Sequence, residues 1–346
     1  NELWYWQVGT EATEWIFATA LDSAGDLFVG GYTEGIFNVT TSVHDDDGVV
    51  DEDFVAVKIN GTTGETLWQW QDGTIEADIG QAAAVDSTGN FFLAGDTYDD
   101  WDGINAGKMD FAAVKLNGQT GKEIWRWQDG TLWYDSIWGA GIDPEDDLLL
   151  GGHSSSSFSG TSKGDFDFVS IKLNGETGLE MWRWQNGTED EDWINDAAVD
   201  QEGNIFLTGY TYGSLGGVNN VGKSDFVAMK LDGALGIELW NWQAGTVWED
   251  NILSCAIDPY GDVILGGHTT GVYSTLHAGD LYDLVAIKIN GVMGNEIWRW
   301  QHGTLTIDSV FTVDVDPAGN VLLGGDTFGD FGGSNVGSYD FLAVKL

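Results

Sequence analysis

A sixfold internal repeat limits this 346-residue chain to a few architectures. The tripeptide Trp-x-Trp followed by Gln recurs every 57 to 64 residues, and Gly-Thr follows each copy. An acidic residue lies five positions after that Gly, and an Asp lies eight positions further on. Self-similarity at such a period is typical of solenoids and propellers. The copies begin at Trp4, Trp68, Trp125, Trp182, Trp240 and Trp298.

Each repeat has the pattern of four short strands. In the second copy the first strand is predicted to end at Val85, and the second, third and fourth strands are predicted to cover 91–97, 110–116 and 122–128. Ser-Thr-Gly-Asn and Asn-Gly-Gln-Thr-Gly separate them, and Gly and Asn tolerate the positive φ of tight turns. Four strands repeated with regular turn signals predict a propeller blade. The predicted fold class is an all-β, six-bladed β-propeller of four-stranded antiparallel blades.

The chain ends predict how the ring of blades closes. Leu346 ends a third strand, whereas Asn1-Glu-Leu-Trp4 matches Asn295-Glu-Ile-Trp298, which begins a fourth strand. We therefore expect residues 1–7 to pair with the C-terminal blade and complete it. Such closure removes open sheet edges. Residues 1–346 are predicted to form a single propeller domain.

The charge balance restricts the partners. The chain has 13 Lys and Arg against 56 Asp and Glu, a net charge of −43. This charge argues against nucleic acid and anionic membrane surfaces as partners. Disorder is excluded because 42% of residues are hydrophobic and 18 are Trp, and no apolar stretch reaches the length of a membrane span. An acidic, Lys-poor, Gly-rich composition favours a secreted, extracellular protein.

The segment from Asp78 to Thr97 resembles the secreted beta-propeller repeat family. It carries Ala84-Val85-Asp86 followed by Gly89-Asn90, and the family's units read D-x-A-x-x-x-A-V-D-x-x-G-N-x-Y-x-x-G-x-T. The similarity recurs in all six copies and so covers nearly the whole chain. The resemblance implies a propeller fold and secretion, and little about activity. The family is usually associated with seven blades, whereas this sequence predicts six.

The hairpin sequences carry a second resemblance. Asn117-x-x-Thr-Gly-x-x-x-Trp125 and Asn174-x-x-Thr-Gly-x-x-x-Trp182 are similar to the tryptophan-docking motif of pyrroloquinoline-quinone propellers. The resemblance implies that each Trp packs one blade on the next. No quinone is expected, because those enzymes generally have eight blades. Many also use an adjacent Cys-Cys disulfide, which a chain with one Cys cannot form.

Two acidic loops are candidates for a calcium site. The first blade has an insertion containing His44-Asp-Asp-Asp-Gly48, and the second blade carries Asp99-Asp-Trp-Asp-Gly103. Clustered carboxylates with a Gly for the sharp turn provide the oxygen ligands that calcium requires. A solvated acidic loop without metal is the alternative. The predicted metal ligands are Asp45, Asp47, Asp51, Asp100 and Asp102.

Six Trp residues outside the repeated tripeptide are expected to be exposed near the loops that connect the strands on one face. They are Trp15, Trp101, Trp133, Trp138, Trp193 and Trp248. Carbohydrates are commonly held against aromatic rings, although packing beneath loops is the alternative. The residue after Gly in Gly-x-Thr/Ser also varies between blades and includes two His. The predicted ligand-binding residues are Trp101, Trp133, His153 and His268.

The recurring charged residues have structural interpretations. The acids after Gly-Thr are expected to accept backbone N–H bonds between blades, and Asp22 and its equivalents to form turns. The Lys residues of the third strands are expected to make charge pairs from blade to blade. These Lys are Lys58, Lys115, Lys172, Lys230, Lys288 and Lys345.

Two functional hypotheses remain open. The first is a secreted, non-catalytic binding or structural module of an extracellular or cell-surface assembly, stabilised by calcium, with a protein or glycan as partner. Assembly as a homo-oligomer or larger complex is left open. The second is a lectin or carbohydrate-active enzyme that uses the loop face, since a catalytic carboxylate pair would be inconspicuous among 56 acids. The sequence assigns no catalytic residue.

Overall fold

The computed structural model describes residues 3–37, 51–103, 105–274 and 281–346, and the regular elements in these ranges are 23 β-strands. The strands are six to eight residues long and form six sheets in which neighbours in sequence are neighbours in space. The predicted class, an all-β six-bladed propeller with antiparallel blades, is confirmed. Two compact units divide these sheets, and the single domain over 1–346 stays a prediction.

The first unit comprises residues 1–161 and 170–183. Its first sheet contains β1 (Glu14–Leu21), β2 (Leu27–Thr33), β3 (Asp53–Ile59) and β4 (Thr66–Asp72). The second sheet contains β5 (Asp78–Val85), β6 (Phe91–Thr97), β7 (Asp110–Leu116) and β8 (Glu123–Asp129). The third sheet contains β9 (Asp135–Ile142), β10 (Leu148–Ser154), β11 (Asp167–Leu173) and β12 (Glu180–Asn186). The boundary between the units runs through β11 and β12.

The second unit comprises residues 162–169 and 184–346. The fourth sheet contains β13 (Asp192–Val199), β14 (Ile205–Thr211), β15 (Asp225–Leu231) and β16 (Glu238–Ala244). The fifth contains β17 (Asp250–Ile257), β18 (Val263–Thr269), β19 (Asp283–Ile289) and β20 (Glu296–His302). The last contains β21 (Asp308–Val315), β22 (Val321–Thr327) and β23 (Asp340–Lys345). This last sheet has three strands, as expected if residues 1–7 supply its fourth strand.

The hydrophobic core lies between successive sheets of a unit. The second and third strands of each of the middle blades are buried on both faces, which explains why they read as nearly continuous apolar runs. Phe28 of β2 stacks on Phe91 of β6 with ring centroids 5.1 Å apart. Trp68 meets Phe28 edge to face at 5.7 Å. These contacts join the first and second sheets through one cluster of buried side chains.

Each first strand contains a β-bulge that the sequence did not reveal. In β5 the pairing with β6 slips between Gly80 and Ala82, and the corresponding slip occurs in every first strand. The bulge brings the Ile79 carbonyl so close to Gly95 that a Cβ there would lie 1.9 Å from the oxygen. The Gly of Gly-x-Thr/Ser is therefore required by the bulge beside it.

A hydrogen-bonded contact joins three of the hairpin turns to the preceding blade. The Trp68 indole N–H and the Lys58 ammonium group both donate to the Gly118 carbonyl, at 3.0 and 3.1 Å. The same pair of donors reaches the carbonyls of Gly175 and Gly291. Gly121, at φ 66°, lies against the Trp68 ring, where a Cβ would be 2.8 Å from an indole carbon. A side chain at this Gly would push the Trp away.

The third-strand Lys residues pair within one blade, so the predicted blade-to-blade charge pairs are wrong. Lys58 binds Asp22, Lys115 binds Asp86 and Lys172 binds Asp143, each inside a single sheet. The Lys instead reaches the next blade through a carbonyl oxygen. The Asp forms the turn as predicted, because Asp22 Oδ1 accepts bonds from the backbone N–H groups of Ala24 and Asp26.

The N-terminal segment docks on the first sheet with its two Trp side chains. Trp4 donates its indole N–H to the Gly61 carbonyl at 2.9 Å, and Trp6 donates to the Thr66 hydroxyl at 2.8 Å. Both rings pack against the buried cluster around Val57. The segment therefore repeats on the first sheet the contact that Trp68 makes with the second.

Deleting residues 1–7 is expected to lower the melting temperature by ~5 °C or more, because it uncovers this cluster and removes both indole hydrogen bonds. A matched control is Tyr5→Gln, since Tyr5 is exposed and Gln69 holds the same position in the next copy. An unchanged melting temperature after the deletion would refute the predicted topology.

Candidate ligand-binding site at the loop end of the blades

The loop end of a blade is the end that carries two of its connections. One is the loop from the second strand to the third strand, and the other is the loop from the fourth strand to the next blade. A pair of carboxyl groups closes five of the six Gly-Thr turns there. A Cβ on Gly73 would lie 2.2 Å from Asp53 Oδ1 and 2.7 Å from Asp78 Oδ2. Gly is required because both carboxyl groups approach its Cα. The same arrangement surrounds Gly130, Gly187, Gly245 and Gly303.

The acids after Gly-Thr are structural, as predicted. Asp78 Oδ2 accepts the Thr74 backbone N–H at 2.5 Å, and the corresponding bond recurs in the other copies. In the fourth sheet the Thr211 hydroxyl also donates to Asp192. These two bonds attach the turn that enters a blade to the end of its second strand, and so explain the Thr of Gly-x-Thr.

Burial raises the pKa of Asp53 and Asp78. Desolvation raises the pKa of Asp53 to about 7, with the charges of Asp72 and Asp51 adding to the effect against a hydrogen bond from Gln71. Desolvation likewise raises the pKa of Asp78 to about 7, and the charge of Asp53 contributes. Two carboxyl groups that share a buried site do not ionise together easily.

Asp96 is the most strongly perturbed carboxyl of the first unit. Desolvation raises its pKa to about 8, although it accepts hydrogen bonds from the Ser136 hydroxyl, the Ile137 N–H and the Gln81 amide. Gln81 is the extra residue of the β5 bulge. Protonated Asp96 can donate to the Gln81 side-chain oxygen once that amide is turned over, because the two groups are 2.6 Å apart.

The predicted calcium ligands fall partly outside the described residues. Asp45 and Asp47 belong to 38–50, which lies outside them, whereas Asp51, Asp100 and Asp102 are exposed. Asp100 Oδ1 accepts the Asn105 N–H at 2.5 Å. Within the ranges that the structure describes, no group of three or more His, Cys, Asp or Glu is arranged to hold a metal ion. The calcium site stays a prediction.

Trp101 is buried, so its expected exposure is wrong. Only 8% of its surface is exposed, and its ring packs 4.8 Å from that of Phe54. The Arg126 guanidinium lies over the Trp101 ring, 4.6 Å from its centre. Gln128 Oε1 accepts the Trp101 backbone N–H at 2.7 Å. Trp101 therefore covers the cluster of buried side chains between the first and second sheets. Phe158 and Tyr273 likewise lie beneath Arg183 and Arg299.

The two His residues lie inside the blades rather than on open surface. His153 of β10 is buried and its ring is near that of Trp138, with centroids 6.5 Å apart. His268 of β18 packs against the Tyr282 ring at 4.3 Å. Desolvation lowers the pKa of His268 to about 4, against the opposing charge of Glu249. It is therefore neutral at physiological pH.

The exposed aromatic and aliphatic residues lie just after the Gly-Thr turns. Trp133 is 51% exposed and Trp248 is 53% exposed, as predicted for both. Sequence reasoning missed the residue before each, although the repeat register reveals it. The position after Gly-Thr is apolar and exposed in four copies, where it is Ile75, Leu132, Val247 and Leu305.

Cavities of the second unit lie at both ends of its blades. One of about 580 Å³ at the loop end of the last blade is lined by Leu305, Phe328 and Phe331 among others. A second of about 770 Å³ lies at the opposite end, beside Asp200, Asp258 and Asp316. Those three Asp residues bind the Lys of their own blades. The Asp side chains that line the larger cavity are therefore already engaged in ion pairs within the blades.

The comparison with protein families confirms the predicted resemblance. The model of a family described as "SBBP: Beta-propeller repeat" matches residues 183–216. This segment contains β13 and β14 of the fourth sheet. No curated protein matches the chain in sequence.

Solved structures that resemble the chain share its fold at low sequence identity. Sqt1 from Chaetomium thermophilum is 13% identical with a TM-score of 0.51, over 91% of this chain and 68% of that one. Quinohemoprotein alcohol dehydrogenase from Comamonas testosteroni is 12% identical with a TM-score of 0.53. The match covers 92% of this chain and 52% of the dehydrogenase. At this identity the likeness extends to the fold alone.

A search for membrane-spanning helices over the described ranges gives none that is long and apolar enough to cross a bilayer.

The raised carboxyl pKa values predict that stability falls as the pH rises. A carboxyl whose pKa is higher in the folded protein stabilises it fully below the unfolded pKa of about 4, and this contribution is lost as the pH passes the folded pKa. For Asp53, Asp78 and Asp96 the folded values are about 7, 7 and 8. We expect the urea midpoint to be higher at pH 5 than at pH 8.5.

Asp96→Asn tests this interpretation at one residue. The neutral amide mimics the protonated carboxyl, so the variant should match the native protein at pH 5 and exceed its stability at pH 8.5. Asp165→Asn, at an exposed carboxyl, is the control and should leave the pH dependence unchanged. A pH dependence that Asp96→Asn leaves intact would contradict the assignment.

Proposed function

We propose that the chain is a secreted, non-catalytic binding module that holds a carbohydrate ligand of an extracellular or cell-surface assembly at the loop end of its blades. The supporting observation is the repeated exposure of large apolar side chains after the Gly-Thr turns. Leu132 is 74% exposed beside Trp133, and Leu305 is 79% exposed. Leu132 and Trp133 are adjacent in the chain and both exposed, and neighbouring exposed apolar side chains can form a patch at which a ligand binds.

Aromatic rings on an acidic surface suit a sugar better than an apolar ligand. A pyranose presents C–H groups on one face and hydroxyl groups around its edge. The indole of Trp133 or Trp248 offers a flat apolar surface, and neighbouring polar side chains offer hydrogen bonds. Quinohemoprotein alcohol dehydrogenase shares the fold, but the proposed ligand here is not a quinone.

The perturbed carboxyl groups favour binding over hydrolysis. Asp78, Asp96 and Asp192, whose pKa values are raised to about 7, 8 and 7, are buried in the blades. Each is engaged by hydrogen bonds from the blades themselves. A glycosidase acid needs a raised pKa at the surface that receives the sugar. Here the carboxyl groups with the most strongly raised pKa values hold the blades together.

Replacing Trp133 with Ala is expected to weaken the binding of an oligosaccharide identified on a glycan array by about tenfold, or ~1.4 kcal/mol. Trp248→Ala tests the second unit in the same way. Isothermal titration calorimetry measures both. Leu179→Ser, at an exposed apolar residue of a hairpin turn at the opposite end, is the control. Array binding that both Trp variants retain in full contradicts the proposal, and release of sugar products would replace it with catalysis.

Calcium is part of the same proposal. The loop sequences of the first two blades are rich in Asp, a residue type that supplies oxygen ligands to calcium, and calcium would stabilise the native state by binding it selectively. We expect millimolar calcium, and not magnesium, to raise the melting temperature of chelator-treated protein. Changing Asp45, Asp47, Asp100 and Asp102 to Asn should abolish the shift. Equal shifts with both metals, or none, would contradict a calcium site.

A further inference from the structure

We propose that Lys108, Trp133 and Tyr134 form a subsite for an acidic saccharide, in which the Trp133 ring supports the sugar and Lys108 with Tyr134 binds its carboxylate. The inference rests on the proposed carbohydrate-binding function and adds the chemical class of the ligand. The three side chains lie together in the first unit, at the loop end of the second blade.

The subsite has a defined geometry. The Lys108 ammonium lies 5.1 Å from the Trp133 ring centre and 4.7 Å from that of Tyr134, and it donates to the Tyr134 hydroxyl at 3.1 Å. The backbone is held by bonds from the N–H groups of Lys108 and Met109 to the Trp133 carbonyl. Ser155 fixes Tyr134 by accepting its backbone N–H at 2.9 Å. The three side chains therefore project from paired segments of chain.

Most cations of this chain are neutralised by carboxylates, and Lys108 is one of three Lys residues, with Lys122 and Lys163, that have no such partner among the described residues. Of the 13 Lys and Arg residues, six Lys serve the third strands, and the three Arg bind Glu residues of their own strands. Among the described residues no carboxylate lies within ion-pair distance of Lys108. In a protein with net charge −43, a cation without a carboxylate partner beside two aromatic rings attracts an anionic group locally.

The fourth and fifth blades provide an internal comparison. Lys223 and Trp248 occupy the positions of Lys108 and Trp133, but Glu249 stands where the first unit has Tyr134. Lys223 binds Glu249 at 2.9 Å, and Tyr282 donates to the same carboxylate at 3.2 Å. The ion pair with Lys223 lowers the pKa of Glu249. Glu249 thus already fills the carboxylate position that Tyr134 leaves open to a ligand.

The chemistry of the three groups defines the ligand. An uronic acid combines a ring that stacks on indole with one carboxylate, which would accept charge-assisted hydrogen bonds from the Lys108 ammonium and the Tyr134 hydroxyl. The overall negative charge disfavours a long polyanion. A saccharide with a single acidic end is therefore the class that fits.

The test compares a glucuronic acid-terminated disaccharide with its neutral glucose-terminated counterpart by calorimetry at low and moderate salt. The native protein should bind the acidic sugar at least about tenfold more tightly, ~1.4 kcal/mol, and salt should reduce this preference. Lys108→Gln should remove the preference for the acidic sugar. Trp133→Ala should weaken both sugars.

Tyr134→Glu introduces at the subsite the residue type that Glu249 provides at the equivalent position. The variant is therefore expected to fold, and a thermal melt checks this. The variant should lose the acidic preference, because the introduced carboxylate would pair with Lys108 as Glu249 pairs with Lys223. Glu249→Tyr should create a second acidic subsite and raise the stoichiometry. Equal affinity of the native protein for both sugars overturns the inference while the proposed function stands. Binding of neither sugar, together with a blank glycan array, overturns both.

Discussion

Two donors that converge on one carbonyl oxygen hold successive blades together. An indole N–H and a Lys ammonium group from one blade both bind the Gly118 carbonyl in the turn of the next, and Gly175 and Gly291 repeat the contact. The buried Lys charge is balanced by an Asp of its own blade. Gly must bear the carbonyl, because a Cβ on Gly118 would lie 1.6 Å from the Gly89 oxygen. Trp, Lys, Asp and Gly therefore recur as one set.

These contacts between blades determine which charged and aromatic side chains remain available to bind a ligand. The blades use most of their cations internally, so the surface is acidic and an uncommitted Lys beside exposed aromatic rings becomes distinctive. The Gly-Thr turns, closed by buried carboxyl groups, present apolar residues outward from a fixed backbone. Rigid turns with exposed aromatic side chains lose little entropy on binding. The same repeated framework thus supports both blade packing and the proposed carbohydrate site.

The buried carboxyl groups connect the framework to pH. Asp53 and Asp78 approach the same Gly73 Cα, and burial raises the pKa of each to about 7. Such pairs lie at every Gly-Thr turn from Gly73 to Gly303. Protonation of Asp53 and Asp78 therefore strengthens the fold in mildly acidic solution, and the raised pKa values of Asp135, Asp192 and Asp250 add similar effects at later turns.

The sequence by itself determined the blades, because strand alternation and turn residues are local signals and six copies reinforce each other. It also identified Trp133 and Trp248 as exposed. Tertiary structure decided what neighbours do to a side chain: Phe54 and Arg126 bury Trp101, and strand pairing encloses His153. It also decided that Lys58 pairs inside its blade and that each first strand bulges. Burial, pairing and bulges depend on contacts between distant segments, which periodicity along one chain does not encode.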